Sequence, residues 1–432
     1  MTVIYAGFIA PATAESARGV ALGSGEKIAP GVYVRSLRFS NSSGVQRAHV
    51  MSVDLTVAGI SVKPVAAYSG HLTTKRPLSS IVASHGAVGG INTDQFDLRT
   101  GAPFGGIMAA GAVLKSPIPA RRGSTVYALA DGRVRIGKAD FAGSILLLDS
   151  PKAHQRCLLT AGTPNRPSCT NKLQSMNSVT DALAGRLTIF DSAQATGKLP
   201  RSGCTVVYGT YSSPDFTVTK IRRNARSFAV GGKSNDRALV GCGSSGMWLR
   251  RVAAVHNTLW LEYSVMAKGQ PVTQMFSSAG LLRQKGKPVK DPARIAVSGR
   301  NPESIVCVSR DGRHLKLIAI DGRQGAAAPG ITMGQAVGLT ASLHCWSAAV
   351  LDGGGSTTLV SRRPSHSPHV INTPSDGAQR PIPSALLVMY SSTTHKKAIA
   401  ALKKAAKKKT KKTATKKTAT KKTKKTKKTK KK

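Results

Sequence analysis

Residues 348–360 read Ala348-Ala349-Val350-Leu351-Asp352-Gly353-Gly354-Gly355-Ser356-Thr357-Thr358-Leu359-Val360. An apolar run ends on a carboxylate, three glycines and three hydroxyls, then turns apolar again. This pattern predicts a strand that delivers Asp352 to a turn free of side chains. Gly353, Gly354 and Gly355 can take backbone angles closed to other residues and let a ligand approach their N–H groups. Ser356, Thr357 and Thr358 add hydroxyl donors beside them. Such a turn suits an anionic or hydroxyl-rich ligand. Taken alone, the triplet also reads as a plain glycine-rich hairpin turn.

Working outward, residues 332–344 predict a helix. Thr332 can cap it, Gln335 stands three residues on as in a capping box, and Met333, Ala336, Val337 and Leu343 can form one face. Before it, Leu315-Lys316-Leu317-Ile318-Ala319-Ile320 reads as a strand closed by Asp321-Gly322-Arg323. Strand, helix and strand make a crossover, and ligands gather at the carboxyl ends of such strands. The expected fold is therefore α+β, with mixed β-sheets and packed helices.

Elsewhere, residues 32–55 suggest a strand pair closed by Ser42-Ser43-Gly44, and residues 79–85 a short helix. Asp131-Gly132 marks a hairpin within 126–136. Residues 145–285 read as a β-rich insertion of short strands, among them 205–208, 216–221 and 259–265. The chain then divides into a leader-like segment and linker at 1–30, a main domain at 31–394, and a lysine-, threonine- and alanine-rich tail at 395–432, expected to be disordered.

The chain has 432 residues and a formal net charge of +45. Twenty lysines and no acid lie from Lys396 to the end, which leaves +25 on the rest, so the body is itself basic. A lysine run of this kind holds polyanions by counterion release. It resembles the tails of actinobacterial histone-like proteins, which raises nucleic acid as a partner; an anionic or phosphorylated envelope polymer is the preferred one. Residues 3–14 are apolar and end Pro11-Ala12-Thr13-Ala14, which fits a small-x-small cleavage site and export, although no basic n-region precedes them. No run is long enough to span a bilayer.

Six cysteines, Cys157, Cys169, Cys204, Cys242, Cys307 and Cys345, include no Cys-x-x-Cys pair, which argues against zinc. Of the fifteen pairings that six allow, Cys307 with Cys345 and Cys157 with Cys169 are the expected ones.

Several segments stand in a characteristic order. They are Gly90-Ile91-Asn92-Thr93-Asp94-Gln95-Phe96, Gly101-Ala102-Pro103-Phe104-Gly105-Gly106, Arg300-Asn301-Pro302-Glu303-Ser304, the glycine triplet, Val370 to Gly377, and Arg380-Pro381. In this order they resemble the phosphodiester glycosidase family, whose animal member removes N-acetylglucosamine from a sugar phosphodiester. The resemblance runs from about residue 31 to 390. Two departures matter. The family's Asn-Gly-Asp is Asn92-Thr93-Asp94 here, and its Pro-Arg-Thr is Pro302-Glu303-Ser304, which reverses a charge beside the expected phosphate.

The resemblance implies a secreted hydrolase acting on a sugar phosphodiester or a related anionic envelope glycan. Glycosidic cleavage passes through an oxocarbenium-like state served by carboxyl groups. Asp94 and Asp352 are the candidate carboxylates, with Glu303 as a protonated acid. Arg323 with Gly353, Gly354, Gly355, Ser356 and Thr357 forms the candidate anion site. Asn92 either orients a substrate hydroxyl or Asp94, or is a satisfied structural amide; Asp321 reads as a turn former. His85, His344, His366 and His369 give no clear role. No resident cofactor is implied, although Asp94, Asp352 and Asn92 offer oxygen ligands that suit Ca²⁺ or Mg²⁺. The alternative reading is a non-catalytic polycationic protein that binds envelope polymer or nucleic acid on the same scaffold.

Overall fold

The computed structural model describes residue 20 and residues 25–68, 70–117, 124–147, 169–200, 203–290 and 299–404. The leader-like run at 3–14, Cys157 and the lysine run from 405 onward lie outside the described residues.

Period-2 alternation with both faces apolar explains the core. In the strand Glu303–Val308 every residue is buried. Ile305 and Cys307 face one cluster, Val306 and Val308 another. A strand can do this only with layers on both sides. It sits inside an eight-stranded sheet, flanked by His314–Ile320 and Ser347–Val350. On one face lies the helix Met333–Ser342, whose Ala336, Val337 and Leu339 pack with Ile305, Ile318 and Val350. On the other lies a five-stranded sheet containing Gly89–Asn92, Leu359–Ser361 and Ser384–Tyr390. There Val306, Leu317 and Ala349 meet Ile91, Leu359 and Leu386. The outer face of the second sheet is covered by Leu78, Ile81 and Val82 of the short helix Leu78–Ser84.

The crossover is present in modified form. His314–Ile320 and Ser347–Val350 each pair antiparallel with Glu303–Val308, so they run parallel to one another with that strand between them. The helix joining them starts at Thr332 with both halves of the capping box made. Residues 107–277 supply a thirteen-stranded sheet with separate apolar cores. Its pairing of Ser175–Met176 with Thr188–Phe190 is parallel, which makes this sheet mixed.

The balance of the fold differs from the α+β expectation, since the described chain is mostly β-sheet with few helices. Short alternating strands from 107 to 277 bury much of their faces against one another, with the helix Ser244–Val252 adding Trp248, Leu249 and Val252 to their core. The start of the tail also differs: residues 392–404 are helical, with Thr394 N–H donating to Ser391 Oγ at 3.2 Å and His395 Nδ1 3.1 Å from Ala58 O. Alanine, leucine and lysine favour helix once such a start is fixed.

Two disulfides are placed. Cys307–Cys345 ties the central strand to the segment that follows the helix, as expected. Cys204–Cys242 joins two paired strands of the large sheet. Cys169 is also disulfide-bonded.

Candidate active site

The two stacked sheets are about 10 Å apart, and the chain crosses between them at the glycine triplet. Ser347–Val350 belongs to one sheet and Leu359–Ser361 to the other, so residues 351–358 form the bridge. Backbone bonds fix it: Leu351 N–H donates to Ser304 O at 2.8 Å, Asp352 N–H to Thr93 O at 2.7 Å, and Gly354 N–H to Pro302 O at 2.9 Å. Three segments distant in sequence, 92–94, 301–304 and 351–358, are thereby held at one sheet edge.

Asn92 is the clamp. Its Nδ2 donates to Asp352 O at 2.6 Å, and its Oδ1 accepts from Ser304 Oγ at 2.6 Å and Thr358 N–H at 3.1 Å. With its carbonyl oxygen shared and its amide committed, it has the bonding of the satisfied structural amide, one of the two readings of the sequence.

Three carboxyl groups converge on this edge, Asp94 and Glu303 buried and Asp352 partly exposed, and each faces a cation. Burial, and then the Asp352 charge, push Glu303 up to about 8 against the pull of Arg323. Burial raises Asp352 to about 6, with the Ser356 hydroxyl, Arg380 and Gly353 N–H acting the other way. Asp94 rises to about 7 through burial and the nearby Asp352, opposed by Gly105 N–H and Lys115. Desolvation is the largest cause for all three and outweighs the pull of the cations. Asp94 is committed to its loop, since its oxygens accept from Gln95 N–H at 2.8 Å and from Gly105 N–H. Glu303 is 3% exposed and its carboxyl makes no hydrogen bond to the protein among the described residues. It is a protonated group with its proton unclaimed.

The glycines leave room by lacking side chains, and two of the three N–H groups of the expected cradle are engaged within the protein. Gly354 N–H is taken by Pro302 O, and Gly353 N–H lies on the Asp352 carboxylate. A Cβ on Gly353 would lie 2.6 Å from Glu303 Oε2, one on Gly354 3.1 Å from an Arg323 nitrogen, and one on Gly355 would run into an Arg380 nitrogen. Gly354 also has φ +62°, a conformation that favours glycine. The triplet is thus the space into which Glu303, Arg323 and Arg380 reach. Gly355→Ala meets only the flexible ends of Asp376 and Arg380. We expect a stability loss of about 1–3 kcal/mol, the scale of an added methyl in packed space, and at least about tenfold slower turnover, because Arg380 is displaced from Asp352. Calorimetry alongside the assay checks both, and unchanged turnover would remove Arg380 from the site.

Ser356 and Thr357 are buried; the Thr357 hydroxyl has no hydrogen-bond partner among the described residues, and the Ser356 hydroxyl acts on Asp352. Arg323 is exposed, holds Asn301 Oδ1 at 2.7 Å through Nη2, and stands beside Glu303, where the family pattern has its arginine one strand away. Asp321 is no turn former: it accepts from Thr373 N–H at 2.8 Å and lies 3.4 Å from His49 Nε2 and 3.7 Å from Arg47 Nε. His85 Nδ1 lies 2.9 Å from Ile81 O at its helix end, and His366 Nδ1 3.0 Å from Pro364 O. Among the described residues no three His, Cys, Asp or Glu side chains are grouped to hold a metal ion, and the Asn92 Oδ1 is already shared by Ser304 and Thr358.

Sequence reasoning gave no role to Lys115, Arg380 or Asp376. Lys115 closes the apolar strand Ala112–Lys115, and a lone charge in such a run was the available clue. Asp376 and Arg380 pair at 2.7 Å with four-residue spacing just after the quoted Asn372 segment.

Residues 209–389 match the phosphodiester glycosidase family. That span carries Glu303, Arg323, Asp352 and Arg380, while Asn92, Asp94 and Lys115 precede it. The resemblance read from the sequence is thereby shown over residues 209–389. A hypothetical protein from Synechocystis has the same fold, with a TM-score of 0.66 at 18% identity over 85% of this chain. The chain spans 64% of that protein's length. A protein of Burkholderia pseudomallei K96243 assigned as exported gives 0.61 at 18% identity, over 80% of this chain and 74% of its own. The catalytic domain of zebrafish N-acetylglucosamine-1-phosphodiester alpha-N-acetylglucosaminidase, auto-inhibited by its pro-peptide, gives 0.45 at 14% identity over 86% and 88%, too loose a match to carry argument. No curated protein matches the chain in sequence.

Proposed function

We propose that the protein is a secreted glycosidase that hydrolyses a sugar phosphodiester or a closely related anionic envelope glycan. The observation that carries this reading is the pairing of Asp352, raised to about 6 and so ionised at neutral pH, with Glu303, raised to about 8 and so protonated. Two neighbouring carboxyl groups pushed apart in this way divide the roles of base and acid. Asp352 faces the anomeric carbon as the bond to the phosphate oxygen breaks. The electron pair leaves on that oxygen, where Arg323 stabilises the charge and Glu303 gives its proton, and water completes the hydrolysis. Asp94 and Lys115 position the loop beneath Asp352, and Arg380 limits how far its acidity falls.

Export is supported by the disulfides, which form and persist in oxidising compartments. No helix among the described residues is long and apolar enough to cross a membrane. The proposed partner is an anionic polymer, to which the lysine-rich end of the chain adds affinity.

The direct test offers the protein a sugar-1-phosphodiester and a neutral aryl glycoside of the same sugar and follows free sugar. We expect release from both, faster from the phosphodiester. Absence of release from a panel of phosphodiester-linked sugars would replace this reading with that of a polymer-binding scaffold.

A further inference from the structure

At the opposite end of the strand Glu303–Val308, about 17 Å from Glu303 at the usual rise per residue, lies a second concavity of about 540 Å³. Five cations line it: Arg135, Lys138, Lys268, Lys285 and Arg310. The one acid in its wall, Asp140, is taken by Lys138 at 3.1 Å. Arg135 is turned to the carbonyls of Val134 and Asp311. Lys268, Lys285 and Arg310 have no carboxylate partner among the described residues.

The two lysines are placed by unusual backbone. Lys268 and Lys285 have φ of 50° and 52°, and each is followed by a glycine, Gly269 at 75° and Gly286 at 78°. These are tight hairpin turns whose first position normally carries asparagine, aspartate or glycine, because other side chains are strained there. Lysine takes that position in both of these turns. Three unpaired cations gathered in one concavity repel one another and focus a field that favours a multiply charged anion.

We propose that this pocket binds successive phosphates of a phosphodiester-linked polyol or glycan chain, as an anchoring site separate from the glycine turn. The aromatic side chains present argue against nucleic acid. Arg310 lies over one face of the Trp346 ring at 5.1 Å, and Tyr127 is buried, so the pocket has no pair of open rings between which bases could stack.

The test uses the full chain and a fluorescently labelled three-unit glycerol phosphate oligomer, whose binding is read whether or not the protein cleaves sugars because it has no glycosidic bond. Lys268→Gln/Lys285→Gln/Arg310→Gln is compared with Lys220→Gln/Arg222→Gln/Arg223→Gln, exposed cations on another strand that remove the same charge. We expect the pocket triple to weaken binding at least about tenfold and to lower the salt slope by about 2, as loss of three phosphate contacts implies. The control triple should change binding less than about twofold. Equal weakening by both triples would reduce the effect to net charge and overturn the proposal. A thymidine trinucleotide that binds more tightly than the glycerol oligomer, and loses that binding with the pocket triple, would overturn it in favour of nucleic acid.

Discussion

Asp352→Asn should abolish sugar release, with kcat/KM expected to fall by about 10³-fold while the protein remains folded. The loss is set by the role proposed for Asp352, the ionised group that faces positive charge developing at the anomeric carbon; preorganised groups of this kind contribute on that scale. The fold survives because Asp352 is held by its backbone. Its N–H donates to Thr93 O and its carbonyl accepts from Asn92, and asparagine keeps both. Its carboxylate also raises Glu303 and Asp94, so removing the charge relieves two buried neighbours. The melting temperature at neutral pH should therefore hold or rise, as expected where function is maintained at some cost in stability. Wild-type turnover in a folded Asp352→Asn protein would eliminate Asp352 as a catalytic residue.

Glu303→Gln should separate chemistry from stability in a second way. Loss of a general acid costs about 10²- to 10⁴-fold where the leaving group needs a proton. The deficit should be largest for an alkyl glycoside and smaller for a phosphodiester, whose departing oxygen is a weak base. Stability should move in the opposite direction. Glu303 titrates near 4.5 when unfolded and about 8 when folded. Below about 4.5 both states hold the proton. Between those values the unfolded chain gives it up and the fold does not, so stability falls as pH rises through the window. A glutamine in its place has no proton to lose. The variant should gain on the wild type by several kcal/mol between pH 5 and pH 8, at about 1.4 kcal/mol per pH unit. Paired denaturant titrations at the two pH values measure this, and a pH-independent difference would contradict a buried protonated Glu303. The reverse charge change, Glu303→Arg, is unsuitable as a probe, since it would bury a cation beside Arg323.

What the sequence revealed was what short-range chemistry determines. Thr332 and Gln335 are three residues apart and need only a helix start to find each other. Asp131-Gly132 sits between Thr125–Leu129 and Val134–Gly137, which pair as a hairpin. The apolar run before Asp352 is a strand because its neighbours on both faces are apolar. The site itself was legible as a set of residues, through the order of its motifs, but not as a set of roles. Whether the carboxyl of Glu303 is charged depends on burial between two stacked sheets, which no local pattern encodes. Asn92 could be read as a ligand contact until its partners, 212 to 266 residues away, were in view. The glycine triplet suggested donors because glycine exposes its N–H groups. In the structure two of those N–H groups are engaged within the protein, and the missing side chains leave room for side chains from three other segments.

The central claim is that Asp352 is ionised and Glu303 protonated at the same pH, and the dependence of kcat/KM on pH tests it most directly. For a substrate that does not titrate between pH 5 and 9, the profile should rise as Asp352 ionises near 6, peak near 7, and fall as Glu303 loses its proton near 8. Glu303→Gln should remove the alkaline limb and leave the acidic one. A profile that stays flat across that range, or keeps its alkaline limb in Glu303→Gln, would contradict the account.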